Sequence, residues 1–142
     1  MPHTFNRFVR EWTDRRVQLN EKKLRLLLVD DDRNAVEALA AFMTVQDLDC
    51  HIALGGRQAI AAALAWAPHI IVMDISMPEC TGIEAARAIR EDDATAHILI
   101  IAFTALDERE VRRRAVDQDF DAYCQKGHAT THLLRLIASL AA

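Results

Sequence analysis

Apolar and polar positions along this chain fall into two alternating rhythms from Leu24 onward. Short unbroken apolar runs give way to stretches in which apolar residues recur every three or four positions. The run LRLLLVD (24–30) predicts a buried strand. RNAVEALAAFMTVQD (33–47) places Val36, Leu39, Ala40 and Met43 at helical spacing. CHIAL (50–54) reads as a strand, Gly55-Gly56 punctuates, and RQAIAAALAWA (57–67) predicts a helix stopped by Pro68. The alternation continues with HIIVMD (69–74) as strand, GIEAARAIRED (82–92) as helix, and HILIIAFT (97–104) as strand. DEREVRRRAVDQ (107–118) then reads as helix, FDAYCQ (120–125) as strand and TTHLLRLIASLA (130–141) as helix. Five strand–helix units of this kind predict an α/β protein: a doubly wound, five-stranded parallel sheet with helices on both faces. The near-continuous apolar strands fit a sheet buried on both sides.

The first 23 residues have another rhythm. Phe5, Phe8, Val9 and Trp12 stand at i, i+3, i+4 and i+7, which predicts an amphipathic helix over an extension of residues 1–23 ahead of a body at 24–142. One such helix cannot bury its own stripe, so it is expected to dock on its own body, a second copy in a homodimer, or another protein. Charge sharpens this picture. Six Lys/Arg against three acids give the extension +3, leaving −7 of the overall −4 to the body. An acidic body argues against nucleic-acid binding, and the basic extension suits an acidic surface, the body's own included.

Of the 142 residues, 51% are hydrophobic and 27% charged, as in an ordinary globular domain, and no apolar run approaches a membrane span. No secretory signal is evident at the start, so a cytoplasmic protein is expected. Cys50, Cys80 and Cys124 are too scattered for a disulfide framework or a zinc pair.

In open α/β sheets ligands gather beyond the carboxyl ends of the strands. Here those ends are Asp30, Asp31 and Asp32 after the first predicted strand, Asp74 after the third, Thr104 after the fourth and Lys126 after the fifth. Clustered carboxylates stay ionised if a hard divalent cation meets them, and Mg²⁺ suits such oxygen donors. Asp32 alone is well placed to cap the helix that follows.

The stretches LLLVDDD, IIVMDISMPECTG, IIAFTA and AYCQKG, in this order, resemble the motifs of the response-regulator receiver family of two-component signalling. The resemblance spans about residues 24–142 and implies a flavodoxin-like sheet of order 2-1-3-4-5. It implies that Asp74 accepts a phosphoryl group from a histidine kinase or a histidine phosphotransfer protein. Asp31, Asp74 and the carbonyl of Ser76 would then hold Mg²⁺, with Asp30 acting through a metal-bound water. Lys126 and Thr104 would contact phosphoryl oxygens, and Tyr123 would be the switch aromatic that turns inward as Thr104 moves. A downstream protein would read the face of the fourth predicted helix, fifth predicted strand and fifth predicted helix.

Two features complicate the transfer. Members of the family commonly follow the lysine with proline, whereas this chain has Lys126-Gly127, for which a trans bond or a mobile loop is expected. Asp30-x-Asp32 also resembles the nucleophile motif of haloacid-dehalogenase-like phosphohydrolases, which would make Asp30 the nucleophile and Asp32 the acid/base of a small Mg²⁺ enzyme. A receiver-like module that never takes phosphate is the third possibility. With no output module legible after the last predicted helix, the expectation is a stand-alone phosphoacceptor, similar to single-domain chemotaxis-type regulators.

Overall fold

The central strands form where the sequence is continuously apolar, because each must bury both faces. The computed structural model describes residues 7–20 and 22–141. In chain order the elements are β1 Val9–Glu11, β2 Arg25–Val29, α1 Arg33–Val45, β3 Asp49–Ala53, α2 Gly56–Trp66 and β4 Ile70–Met73. They continue with α3 Gly82–Glu91, β5 Leu99–Thr104, α4 Glu108–Arg114, β6 Ala122–Gln125 and α5 Thr130–Leu140. The sheet order is β1-β6-β5-β4-β2-β3. Strands β2 to β6 are mutually parallel and, counted alone, have the expected order 2-1-3-4-5.

Residues alternate between two cores. Leu27, Val29, Ile71, Met73, Ile100 and Ala102 pack with Ala59, Ala63, Ala85 and Ile89 of α2 and α3. Leu26, Leu28, Ile70, Val72 and Ile101 point the other way, onto Val36 and Met43 of α1 and Leu133, Leu136 and Ile137 of α5. Helix starts follow local chemistry. Asp32 accepts the Ala35 N–H at the head of α1, Asp107 accepts that of Glu110 at α4, and Thr81 with Glu84 forms a capping box at α3.

The amphipathic helix expected in the lead segment is absent from the described residues; Phe5 lies outside them. Residues 9–11 instead form a sixth strand, β1, antiparallel to β6 with Val9 opposite Cys124 and Arg10 opposite Tyr123. The reason is competition between partners. A short helix is marginal in water without a packing face, whereas the β6 edge offers unpaired backbone groups along with a place to bury Val9, which is 1% exposed. The sheet therefore has six strands, not five. Helix α4 is also shorter than the sequence pattern suggests, ending at Arg114, since residues 115–118 turn away through Gln118 at φ 71°.

The basic lead segment meets the body's own acids, as its charge suggests. Arg15 Nε donates to Asp121 Oδ1 at 2.8 Å and Thr13 Oγ1 donates to the same oxygen at 2.8 Å. Asp121 Oδ2 also accepts from Arg90 Nη2 at 3.0 Å and from the Ile100 backbone N–H at 2.9 Å, inside a fully buried position at the start of β6. Removing the carboxylate strands two guanidinium groups and a backbone donor. Asp121→Ala is expected to lose about 3 kcal/mol of unfolding free energy; urea titration checks this, and a loss below about 1 kcal/mol contradicts it.

Candidate functional site

Four neighbouring strands, β2, β4, β5 and β6, deliver carboxylates, a hydroxyl and an ammonium to one rim. The Asp74 N–H donates to the Val29 carbonyl at 3.0 Å, and the Asp30 N–H donates to the Ala53 carbonyl at 3.2 Å. These two bonds hold the acids at fixed heights above β4 and β2. The Lys126 N–H donates to the Thr104 carbonyl at 2.8 Å, which ties the lysine loop to the end of β5. Gly82 lets α3 close against the loop after β4: a Cβ there would clash with the Asp74 carbonyl, and the Gly82 N–H donates to the Ile75 carbonyl at 2.9 Å.

The side chains then converge. Carboxylate oxygens of Asp30, Asp31 and Asp74 lie within 4.8 Å of one another. Asp30 and Asp74 are buried, at 8% and 7% exposure, and Asp31 faces solvent. Lys126 Nζ bonds Asp30 Oδ2 at 2.5 Å and stands 3.4 Å from Asp74 Oδ1. At that spacing two ionised carboxylates repel by roughly 3–4 kcal/mol for an effective dielectric of about 20. One ammonium among three carboxylates leaves two negative charges, and a hard divalent cation is the natural complement to an all-oxygen cluster of that charge. The donor set therefore fits Mg²⁺.

Thr104 is buried, and its Oγ1 accepts the Leu106 N–H at 3.3 Å. Tyr123 is 1% exposed and already turned inward, its hydroxyl donating to the Leu106 carbonyl at 2.6 Å. Burial pushes its phenol pKa up. Ser76 is exposed in the loop two residues beyond Asp74. Asp32 is spent on capping α1 and stands apart from the three-carboxylate cluster, which does not favour its use as an acid/base. The Lys126–Gly127 bond is trans, as expected, since no described peptide bond is cis; Gly127 sits at φ 90°, a conformation only glycine adopts readily.

Other polar and aromatic side chains are engaged elsewhere. Arg113 and Arg114 pair with Glu110 on their own helix. His128 stacks on Phe8 with ring centroids 3.5 Å apart, and Trp66 stacks on His51 at 3.7 Å. The place of one residue of the lead-segment stripe was not legible in the sequence. Trp12 lies parallel to the Tyr123 ring at 5.9 Å. Only its aromatic character hinted at this, since the helical spacing pointed it elsewhere.

The response regulator receiver domain family matches residues 26–138, and the chain belongs to that family. Response regulator PleD of Caulobacter vibrioides is 31% identical over 116 residues, covering 82% of this chain and 26% of that protein. Response regulator MprA of Mycolicibacterium vanbaalenii is 31% identical over 117 residues, covering 82% and 50%. This chain thus spans between a quarter and a half of the length of these curated relatives. Among solved structures, response regulator TrrA of Thermotoga maritima, in complex with Mg²⁺–BeF, superposes with a TM-score of 0.74 at 26% identity over 82% of this chain and 98% of that one. Chemotaxis protein CheY4 of Vibrio cholerae shares the fold with a TM-score of 0.75 at 22% identity, covering 83% and 98%. No helix among the described residues is long and apolar enough to cross a membrane.

Burial pushes the Asp74 carboxyl up to about 6; Lys126 opposes the rise and Asp30 adds to it. Asp74 therefore binds its proton more tightly folded than unfolded, and between its ordinary value of 3.8 and about 6 stability falls as pH rises. Asp74→Asn is expected to stabilise the cation-free protein by about 1–2 kcal/mol near neutral pH, with the gain vanishing toward about pH 4. Thermal melts across that range check it, and a destabilised Asn variant near neutral pH contradicts it.

Proposed function

We propose that this receiver acts as a phosphoacceptor whose nucleophile is Asp74, taking its phosphoryl group from the phosphohistidine of a histidine kinase or phosphotransfer protein. The observation that carries the reading is the lysine bridge: Lys126 Nζ contacts both Asp30 and Asp74, with Asp31 in the same cluster. In the transfer a carboxylate oxygen of Asp74 bonds to phosphorus as the donor's P–N bond breaks, and the departing imidazole keeps the electron pair and takes up a proton. Asp31 and Asp74, with the Ser76 carbonyl, would hold Mg²⁺, and Asp30 would act through a bound water. When bound, Mg²⁺ supplies positive charge where the phosphoryl oxygens gather. Lys126 would leave its carboxylate partners to meet one phosphoryl oxygen as a point charge. Thr104 would donate its hydroxyl to another, giving up the bond it accepts from Leu106.

The receiver body would occupy residues 24–142, with 1–23 as an accessory segment, in a cytoplasmic signalling pathway. A downstream protein would read the face built from α4, β6 and α5 together with β1, which already pairs with the β6 edge. The phosphohydrolase reading is weaker because Asp32 caps α1 and Asp30 is held by Lys126.

Incubating the full chain with Mg²⁺ and acetyl phosphate, then trapping and mapping the acyl phosphate by mass spectrometry, tests the assignment. Label on Asp74, lost in Asp74→Asn, is the expected result. Label on Asp30 would support the hydrolase, and absence of label would contradict phosphate acceptance.

A further inference from the structure

The segment ahead of the family match is built into the same hydrogen-bonded unit as the site. Its strand β1 and the residues after it are fastened by backbone bonds: the Trp12 and Thr13 N–H groups donate to the Asp121 carbonyl at 2.8 and 3.1 Å, and the Val17 N–H to the Leu140 carbonyl at 2.8 Å. Trp12 is then aimed. Its Nε1 donates to Glu108 Oε2 at 2.6 Å in the first turn of α4, and the Arg112 guanidinium lies 4.4 Å from its ring centroid. One face of the indole covers Tyr123, nearly parallel at 7°.

Leu106 joins this arrangement to the site. Its N–H donates to Thr104 Oγ1, while its carbonyl accepts from Tyr123, so one residue bonds both to the hydroxyl beside the aspartates and to the ring under Trp12. A second connection runs parallel to it. Gln125 donates its backbone N–H to the Phe8 carbonyl at 2.8 Å and its side-chain amide to the Ala105 carbonyl at 3.2 Å. The short loop 105–107 is therefore held from the site at one side and from the lead segment at the other.

We propose that Trp12 is a positioning residue for the Asp74 site: it holds Tyr123 inward and loop 105–107 in place, so docking of the lead segment and loading of Asp74 favour one another. The inference rests on Asp74 being the phosphoacceptor. A bonding change at Thr104 releases the Leu106 N–H, and Tyr123, bonded to the Leu106 carbonyl, keeps that residue in place only while its ring stays in. With the indole removed, the inward ring loses its cover and becomes one pose among several. By linkage, whatever factor Trp12 adds to loading, loading adds to the docking of the segment.

The full chain, loaded with Mg²⁺ and beryllium fluoride as a non-hydrolysing phosphoryl stand-in, tests this in two ways. Fluorine NMR reports loading independently of the segment, with Asp74→Asn as the unloaded control. The affinity of Trp12→Ala is expected to fall roughly five- to tenfold, with Trp12→Phe recovering most of it. In the wild type, hydrogen exchange at the amides of Trp12, Thr13 and Val17 is expected to slow on loading by a comparable factor. A role in stability alone would shift the melting temperature while leaving loaded and unloaded exchange alike. Affinity within about twofold of wild type in a Trp12→Ala protein that still loads, or unchanged exchange on loading, overturns the inference. Absence of a bound fluoride signal in the wild type overturns the phosphoacceptor reading itself and takes this inference with it.

Discussion

Lys126 Nζ stands between Asp30 and Asp74, and the fold is arranged so that this contact is needed. Parallel strands that end side by side bring their carboxylates to one rim whether or not the charges tolerate it. Burial makes the problem worse by removing water, which is why the Asp74 carboxyl is raised. One ammonium relieves part of the strain and leaves a net double negative charge. That residual charge suits the cluster to a divalent cation. The lysine is the cluster's own counter-ion.

From this rim a short path leads outward. Thr104, Leu106 and Tyr123 are joined by hydrogen bonds through a single loop residue, and Trp12 closes the path at the surface. The expected switch aromatic is already inward, and the lead segment covers it. The output face that the family resemblance implied, α4 with β6 and α5, is thus in part occupied by the chain's own β1. The acidic body and basic segment satisfy one another through Asp121 with Arg15, and Glu108 with Arg10 at 3.6 Å.

Much of this was legible in the residues alone. The strands announced themselves because ILIIAF and IIVM are apolar at every position, and a parallel sheet requires that. The convergence of Asp30, Asp31, Asp74 and Lys126 was legible because strand ends share an edge, a rule that turns scattered positions into one location. The lead segment was misread for a physical reason. Phe5, Phe8, Val9 and Trp12 satisfy a helical stripe, but Val9 beside an unpaired sheet edge suits a strand as well, and only the tertiary partner decides. Asp121 was unremarked because its meaning lies in Arg15 and Arg90, neither close to it in sequence. The end of α4 was overextended because the turn at 115–118 depends on a positive φ at Gln118, which no pattern of apolar residues reports.

If Lys126 is the cluster's own counter-ion, it competes with a divalent cation for the same negative charge. Titration calorimetry of Mg²⁺ into the wild type and into Lys126→Ala measures that competition directly. Removing the ammonium should tighten Mg²⁺ binding by roughly tenfold, equivalent to about 1.4 kcal/mol. Unchanged or weaker binding in Lys126→Ala would mean that the carboxylates and the lysine do not share one charge balance, and the account built on that balance would fail.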